Sequence, residues 1–232
     1  SKGNVNFPDE VVLGRALPEV FKTPYPTEVC EVFKDIDTDK IRAVIERNTS
    51  GFLKPSEVSE ILDAAKISRV QEITVNNETE LLSECKNIDF PLVMKVVGPV
   101  HKTDVGGVVL NVSTKAGVIH HFEKLMQIED ATGVLVQPMI DGIELFIGAK
   151  NDSSFGHLVL CGLGGIFIEV LKDVRSGLAP LSKNEAETMI RNLKGYKLLE
   201  GIRGKEGVNM ELFTEMVQRV SMLVHLAPEI EE

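Results

Sequence analysis

Residues 90–112, FPLVMKVVGPVHKTDVGGVVLNV, constrain this chain more than any other stretch. An apolar run from Pro91 to Val97 carries a single lysine, Lys95, at its middle. β-Branched residues around a lone charge predict a strand with one functional side chain. A buried, unpaired ammonium is costly or gives up its proton, so Lys95 is expected at an edge or in a cleft. Gly98-Pro99 ends the strand. His101, Lys102, Thr103, Asp104 and the pair Gly106-Gly107 follow, and a second apolar run fills 108–112. Lysines act as point charges on phosphate, glycine amides can approach its oxygens, and a neutral histidine can accept a phosphoryl group. The segment therefore suits a polyphosphate. A hairpin with a solvated charged tip is the other reading that residue types leave open.

The rest of the composition narrows the class. The 232 residues are enough for one large or two modest domains with real cores. The net charge of −10, from 25 Lys+Arg against 35 Asp+Glu, comes without a long basic run. That argues against nucleic acid or an anionic membrane as the main partner. No apolar run approaches the ~20 residues of a membrane helix, and no signal peptide opens the chain, which starts at Ser1 and reads as a processed protein or a piece of a longer one. Cys30, Cys85 and Cys161 are far apart, odd in number and without metal spacing. Reduced thiols and a cytoplasmic location are expected.

Along the chain, residues 1–26 are punctuated by Pro8, Pro18, Pro24 and Pro26, with no clean apolar period. They read as a tether, partly extended along a neighbouring domain. Thr38 is placed to cap a helix with Ile41, Val44 and Ile45 on one face, and Pro55 to open a second with Val58, Ile61, Leu62 and Ala65. A strand over 70–75, a helix capped by Asn77 and Glu80, the strands of Lys95 and of 108–112, and a helix over 114–127 suggest a small first lobe. A second lobe is expected from Thr132-Gly133, with strands at 134–136, 143–149, 158–160 and 166–171. Ser182 and Glu185 form a capping box for a helix stopped by Gly195, and a last helix runs from Asn209 to Pro228. The domain plan is a tether and helix over 1–50, a first lobe over 51–131 and a second over 132–232.

Two phosphate motifs are excluded. Gly162-x-Gly164 meets Phe167 where a dinucleotide fingerprint needs glycine, and no P-loop pattern occurs. Gly162, Gly164 and Gly165 serve either a close approach of backbone to a ligand or a tight bend. Glu169, Lys172 and Asp173, on an otherwise apolar run, are expected to face a cleft. Glu144 alternates with Ile143 and Leu145, so either solvent or a ligand is open to it.

The segments VMKVV, HKTDVGGV, LVQPMI, GLGGIFIEVLKDV, LAPL and GIRG occur in one order over about residues 52–232. Together they resemble the ATP-grasp part of the NDP-forming acyl-CoA synthetases, of the acetyl-CoA synthetase (ADP-forming) type. The resemblance implies an α+β, two-lobed ATP-grasp fold, preceded by the N-terminal tether and helices. It also implies the reaction acyl-CoA + ADP + phosphate ⇌ acid + CoA + ATP, with ATP/ADP and Mg²⁺ as cofactors. By resemblance His101 carries the phosphoryl group, with Lys102 and Asp104 beside it. Lys95, Gly106, Gly107, Gln137, Met139, Ile140, Glu144, Gly164, Gly165 and Arg203 would hold the nucleotide, and Glu169 would touch the metal. Backbone groups near Gln137 to Ile140 would take the adenine edge. A CoA-binding and CoA-ligase region, on the same parent chain or a partner subunit, would supply acyl-CoA and phosphate. Two departures stand out: Lys66 replaces a glycine at the end of the helical segment LKPSEVSEILDAAKI, and Gly177 replaces an arginine just before LAPL, with Arg175 nearby. The alternative is a nucleotide-binding regulatory or noncatalytic ATP-grasp module of a larger acyltransferase, or a binding module without phosphoryl relay.

Overall fold

The computed structural model describes residues 9–22, 33–48, 51–85, 88–99, 105–165, 167–168, 172–201, 204 and 206–232. Two antiparallel sheets divide the strands. The first joins β1 (Ile73–Val75), β2 (Leu92–Val97), β3 (Val108–Val112) and β4 (Gly133–Pro138) in the order β1-β4-β2-β3. The second joins β5 (Leu145–Asp152), β6 (Gly156–Leu163) and β7 (Val174–Leu178) in chain order. β4, which the sequence suggests as the start of the second lobe, is thus an inner strand of the first sheet. The change of sheet falls after Pro138, not at Thr132. A strand's affiliation depends on non-local pairing, and local sequence carries no signal for that.

The period of two along β2 and β4 decides how the first sheet is used. Leu92, Met94 and Val96 of β2 and Val134 and Val136 of β4 are fully buried. They pack on Leu81 of α4 (Glu78–Glu84) and on Val118, Phe122 and Leu125 of α5 (Lys115–Leu125). Both helices start as expected, with Asn77 accepting from the Glu80 amide and Thr114 from the Gly117 amide. The alternate residues Lys95, Leu135 and Gln137 are only partly buried, on the face turned away from these helices.

The second sheet lays Val159, Cys161 and Leu163 against α6 (Lys183–Arg191), α7 (Tyr196–Leu199) and α8 (Met210–Leu226). Ser182 and Glu185 close the anticipated capping box on α6. Cys161 and Cys85 are free thiols, and burial pushes the Cys161 thiol up to about 12.

Ahead of both sheets lie α1 (Glu10–Lys22), α2 (Thr38–Arg47) and α3 (Pro55–Ala64). α1 corrects the extended-tether reading. Its apolar positions, 12 and 13, 16 and 17, 20 and 21, recur four apart, a helical period that the prolines around it hide. Pro18 is accommodated within it. The α2 cap is Asp37, one residue before the expected Thr38, and it accepts from the Lys40 amide. Ile41, Val44, Ile61, Ala64 and Ala65 of this pair pack on Leu223 and Ala227 at the end of α8. The helices that lead into the first sheet are therefore fastened to the second lobe. Between them and β1, Lys66 takes φ +58°, the left-handed backbone that the usual glycine there would supply. Among the described residues no helix is long and apolar enough to cross a membrane.

Candidate functional site

Lys95 sits opposite Leu135 in the β2–β4 ladder, and Val93 sits opposite Gln137. Lys95 and Gln137 are therefore diagonal neighbours on one face of the sheet, within reach for long side chains. The Lys95 ammonium donates to Gln137 Oε1 at 3.4 Å. Lys95 is neither on an edge strand nor among the residues that line a described cleft: it lies on the inner strand β2 and stays partly buried by facing away from α4 and α5, so no charge enters the first core. Beyond Gln137 the Met139 amide donates to the Pro91 carbonyl at 2.8 Å, which extends the pairing by one step. Ile140 is then 66% exposed at the start of the connector to the second sheet. Gly106 takes φ +66° in the turn before β3, and the Gly107 carbonyl accepts from the Val96 amide at 2.8 Å.

The connector ends at Glu144, which is held against the glycine turn. The Gly164 amide donates to the Glu144 carbonyl at 2.8 Å. Gly165 has φ +56°, and a Cβ there would lie 2.0 Å from Glu144 Oε2. Glycine is required twice over at this position, by backbone conformation and by the carboxylate that occupies the space. The amides of Phe167 and Ile168 donate back to Gly164 and Gly165 at 3.2 and 3.3 Å, and both residues are helical. The strand expected over 166–171 is thus overturned at its described residues. A run of apolar residues this short does not separate strand from buried helix.

Around this turn lies a cleft of roughly 750 Å³. Ile143, Phe167 and Leu198 give it apolar walls, Gly164 and Gly165 bring backbone to its surface, and Asp141, Glu144 and Glu206 add carboxylates. Phe167, Leu198 and Glu206 were missed by sequence reasoning. The signal available was their closeness in sequence to GLGG and GIRG, of which Gly164, Gly165 and Gly201 line the same cleft.

The structure thus brings together two groups of predicted residues. Lys95 pairs with Gln137 on the first sheet, and Glu144, Gly164 and Gly165 line the cleft of the second lobe; neither Lys95 nor Gln137 is among the cleft's lining residues. Met139 and Ile140 lie on the connector between them. His101, Lys102, Asp104, Glu169 and Arg203 lie outside the described residues. Among the described residues, no group of three or more His, Cys, Asp or Glu is placed to hold a metal.

Asp173, expected at the cleft, and Arg175, near the departure at Gly177, both serve the fold. Asp173 is 2% exposed, and its carboxylate accepts from the amides of Lys194 and Gly195 at 2.9 and 2.7 Å. It braces the turn between α6 and α7. The Arg175 guanidinium donates to the Asn192 carbonyl at 2.7 Å, at the end of α6. Gly177 has a packing reason: a Cβ there would come 2.7 Å from Leu181 Cδ2 and 2.8 Å from Met189 Sδ.

Comparison with known proteins agrees with this architecture. The model of a family described as ATP-grasp domain matches residues 44–232. An acetate–CoA ligase [ADP-forming] II of Archaeoglobus fulgidus is 42% identical over 176 residues, 72% of this chain and 26% of that protein. The beta subunit of acetate–CoA ligase [ADP-forming] I of Pyrococcus furiosus is 36% identical over 206 residues, 83% of this chain and 88% of the subunit. A solved structure of acetyl-coenzyme A synthetase 1 of Ca. Korarchaeum cryptofilum, in complex with coenzyme A and Ca-AMPCP, superposes with a TM-score of 0.71 at 33% identity, covering 81% of this chain and 86% of that one. Another structure of that protein (TM-score 0.66, 34% identity, 81% and 84% covered) holds Mg-AMPPCP, with its phosphohistidine segment pointing towards the nucleotide binding site. The chain spans about a quarter of the Archaeoglobus relative's length, and nearly all of the Pyrococcus subunit's. With the match running from α2 to the last residue, the chain belongs to the ATP-grasp domain family and corresponds to the ATP-grasp part of the ADP-forming acetate–CoA ligases.

Proposed function

We propose that this chain is the nucleotide-handling part of an ADP-forming acyl-CoA synthetase acting in the cytoplasm, where a phosphoryl group passes from His101 to ADP in acyl-CoA + ADP + phosphate ⇌ acid + CoA + ATP. The observation that carries the reading is a part-buried lysine, Lys95, held by Gln137, with one short connector leading from the Gln137 strand to a glycine-lined, apolar-walled cleft. The apolar walls suit a nucleobase, the backbone at Gly165 suits polar edges or phosphate oxygens, and Lys95 suits the phosphates. Met139 and Ile140 would offer backbone groups to the base edge. Gly106, Gly107 and Arg203 belong to the same phosphate reading.

In the transfer step the N–P bond of phosphorylated His101 breaks and an O–P bond forms on the terminal phosphate of ADP. Such a step is mostly positioning and charge stabilisation. Lys95 and Lys102 would balance the negative charge, and Asp104 would orient the imidazole. Mg²⁺, when bound, supplies further charge neutralisation on the phosphates. The described carboxylates fit it only sparsely, so it would rest on nucleotide oxygens and water with one or two protein ligands, Glu169 among them. The acyl-CoA chemistry would come from a CoA-binding region, fused or as a separate subunit.

The test is calorimetric titration of the chain with ADP and ATP. Lys95→Ala should weaken binding by ~1.5–3 kcal/mol, the scale of a hydrogen bond to a charged group. Unchanged affinity would remove Lys95 from the site and the reading with it.

A further inference from the structure

The side chain that meets Lys95 is an amide, not a carboxylate. Among the described residues no ion pair takes Lys95. In a chain with 35 acidic to 25 basic residues, no carboxylate among the described residues compensates this cation. We infer that Gln137 is a positioning residue for Lys95: its amide oxygen aims the ammonium without neutralising it, keeping the full charge for the phosphates of a nucleoside diphosphate. This inference rests on the nucleotide reading above.

The geometry favours this role. Lys95 and Gln137 stand on the same face of adjacent strands, one diagonal step apart. Both strands are hydrogen-bonded on each side, β2 by β4 and β3, β4 by β1 and β2, so the two Cα positions are firmly set. An ammonium has three donors and no acceptor, so Gln137 must present its oxygen. At 3.4 Å the contact is a weak hydrogen bond that takes up one donor at the end of a flexible four-carbon stem and leaves two for a ligand. Gln137 is also the last residue but one before the chain leaves β4, so the amide stands where the connector to the cleft begins. A glutamate at this place would fit the same space and hold the lysine more tightly. It would also cancel the charge that a phosphate needs.

The experiment is ADP titration of the full chain carrying Gln137→Glu, Gln137→Met, Lys95→Ala, and Lys95→Ala with Gln137→Glu. Gln137→Glu should weaken ADP binding about tenfold where Lys95 is present, and less than about threefold where it is absent, because the loss runs through the pair. Gln137→Met, isosteric and uncharged, should cost about threefold with the thermal unfolding midpoint unchanged. Equal losses from Gln137→Glu in both backgrounds would mean plain repulsion of the ligand and would overturn the inference. So would wild-type affinity in Gln137→Met, which keeps the test open if the glutamate variant does not fold. If Lys95→Ala itself binds ADP normally, the nucleotide reading fails together with this inference. If Lys95→Ala is weakened and both Gln137 variants are not, only the inference fails.

Discussion

Arg219 and Asp35 stand 184 positions apart in the chain and meet through two contacts, at 2.9 and 3.3 Å. The same guanidinium donates to the Ala65 carbonyl at 3.2 Å and to Glu215 at 2.7 Å, and lies 4.3 Å over the Phe33 ring. A planar fork with five donors is the one side chain able to satisfy all of these at once. It is only 7% exposed, so the helices ahead of the first sheet are tied to α8 by a largely buried cation. Replacing it by Met should cost about 2–3 kcal/mol of unfolding free energy, since charge-assisted bonds go and their acceptors lose their donor. Urea denaturation would check this. A loss under about 0.5 kcal/mol, the level of an ordinary surface change, would show that α2 and α3 are held by their apolar contacts alone.

A second tie, at the surface, should show itself through pH. Arg42 on α2 forms a two-pronged pair with Glu229, both oxygens at 2.8 Å. These bonds hold the Glu229 carboxyl down at about 2. A depressed acid favours the fold above its unfolded value, about 4.3, and loses that contribution as pH falls through its folded value. The difference in stability between wild type and Glu229→Gln should therefore be constant from neutral pH down to about 5, then shrink and vanish near 2. Urea midpoints measured at several pH values decide it. A difference that does not change over that range would show that Glu229 contributes by packing, not by its charge.

At the glycine turn, Gly165→Ala should cost about 1–2 kcal/mol from left-handed backbone alone. Its methyl group would also push on Glu144 Oε2, so ADP affinity should drop along with stability. With Glu144→Ala introduced as well, the steric part should disappear and only the backbone part remain. Unfolding and ADP binding measured across the four variants separate the two. Strict additivity would place the Glu144 carboxylate elsewhere in solution.

How much of this could be read from sequence differed from element to element. Capped helices were plain, because Asn77, Thr114, Ser182 and Asn209 each offer a side-chain acceptor to an amide a few residues on. Lys95 was legible because a lone charge in an apolar strand needs a reason. What Lys95 meets was not, since Gln137 comes from a strand 42 positions away. The misassigned β4 and the 166–171 run failed for that same cause: pairing and burial are set by the assembled sheet, and a short apolar run fits either structure. Asp173 looked like a ligand-facing charge because a brace of backbone amides leaves no local pattern.

The phosphoryl relay is the part of the reading that separates an enzyme from a nucleotide-binding or regulatory module. In sequence His101 is flanked by Lys102 and Asp104 and followed closely by Gly106-Gly107. Phosphohistidine is labile in acid and stable in base, which tells it from phosphoserine. With ATP supplied, the chain joined to its CoA-ligase region should take up acid-labile phosphate, and His101→Ala should abolish both the label and ATP formation from acyl-CoA, ADP and phosphate. Lys102→Ala should slow transfer about a hundredfold or more while leaving ADP affinity within a few-fold, because its charge matters most when the phosphoryl group is in flight. Retained ATP formation in His101→Ala would leave a fold that keeps the nucleotide but not the relay, and the module reading would then stand in its place.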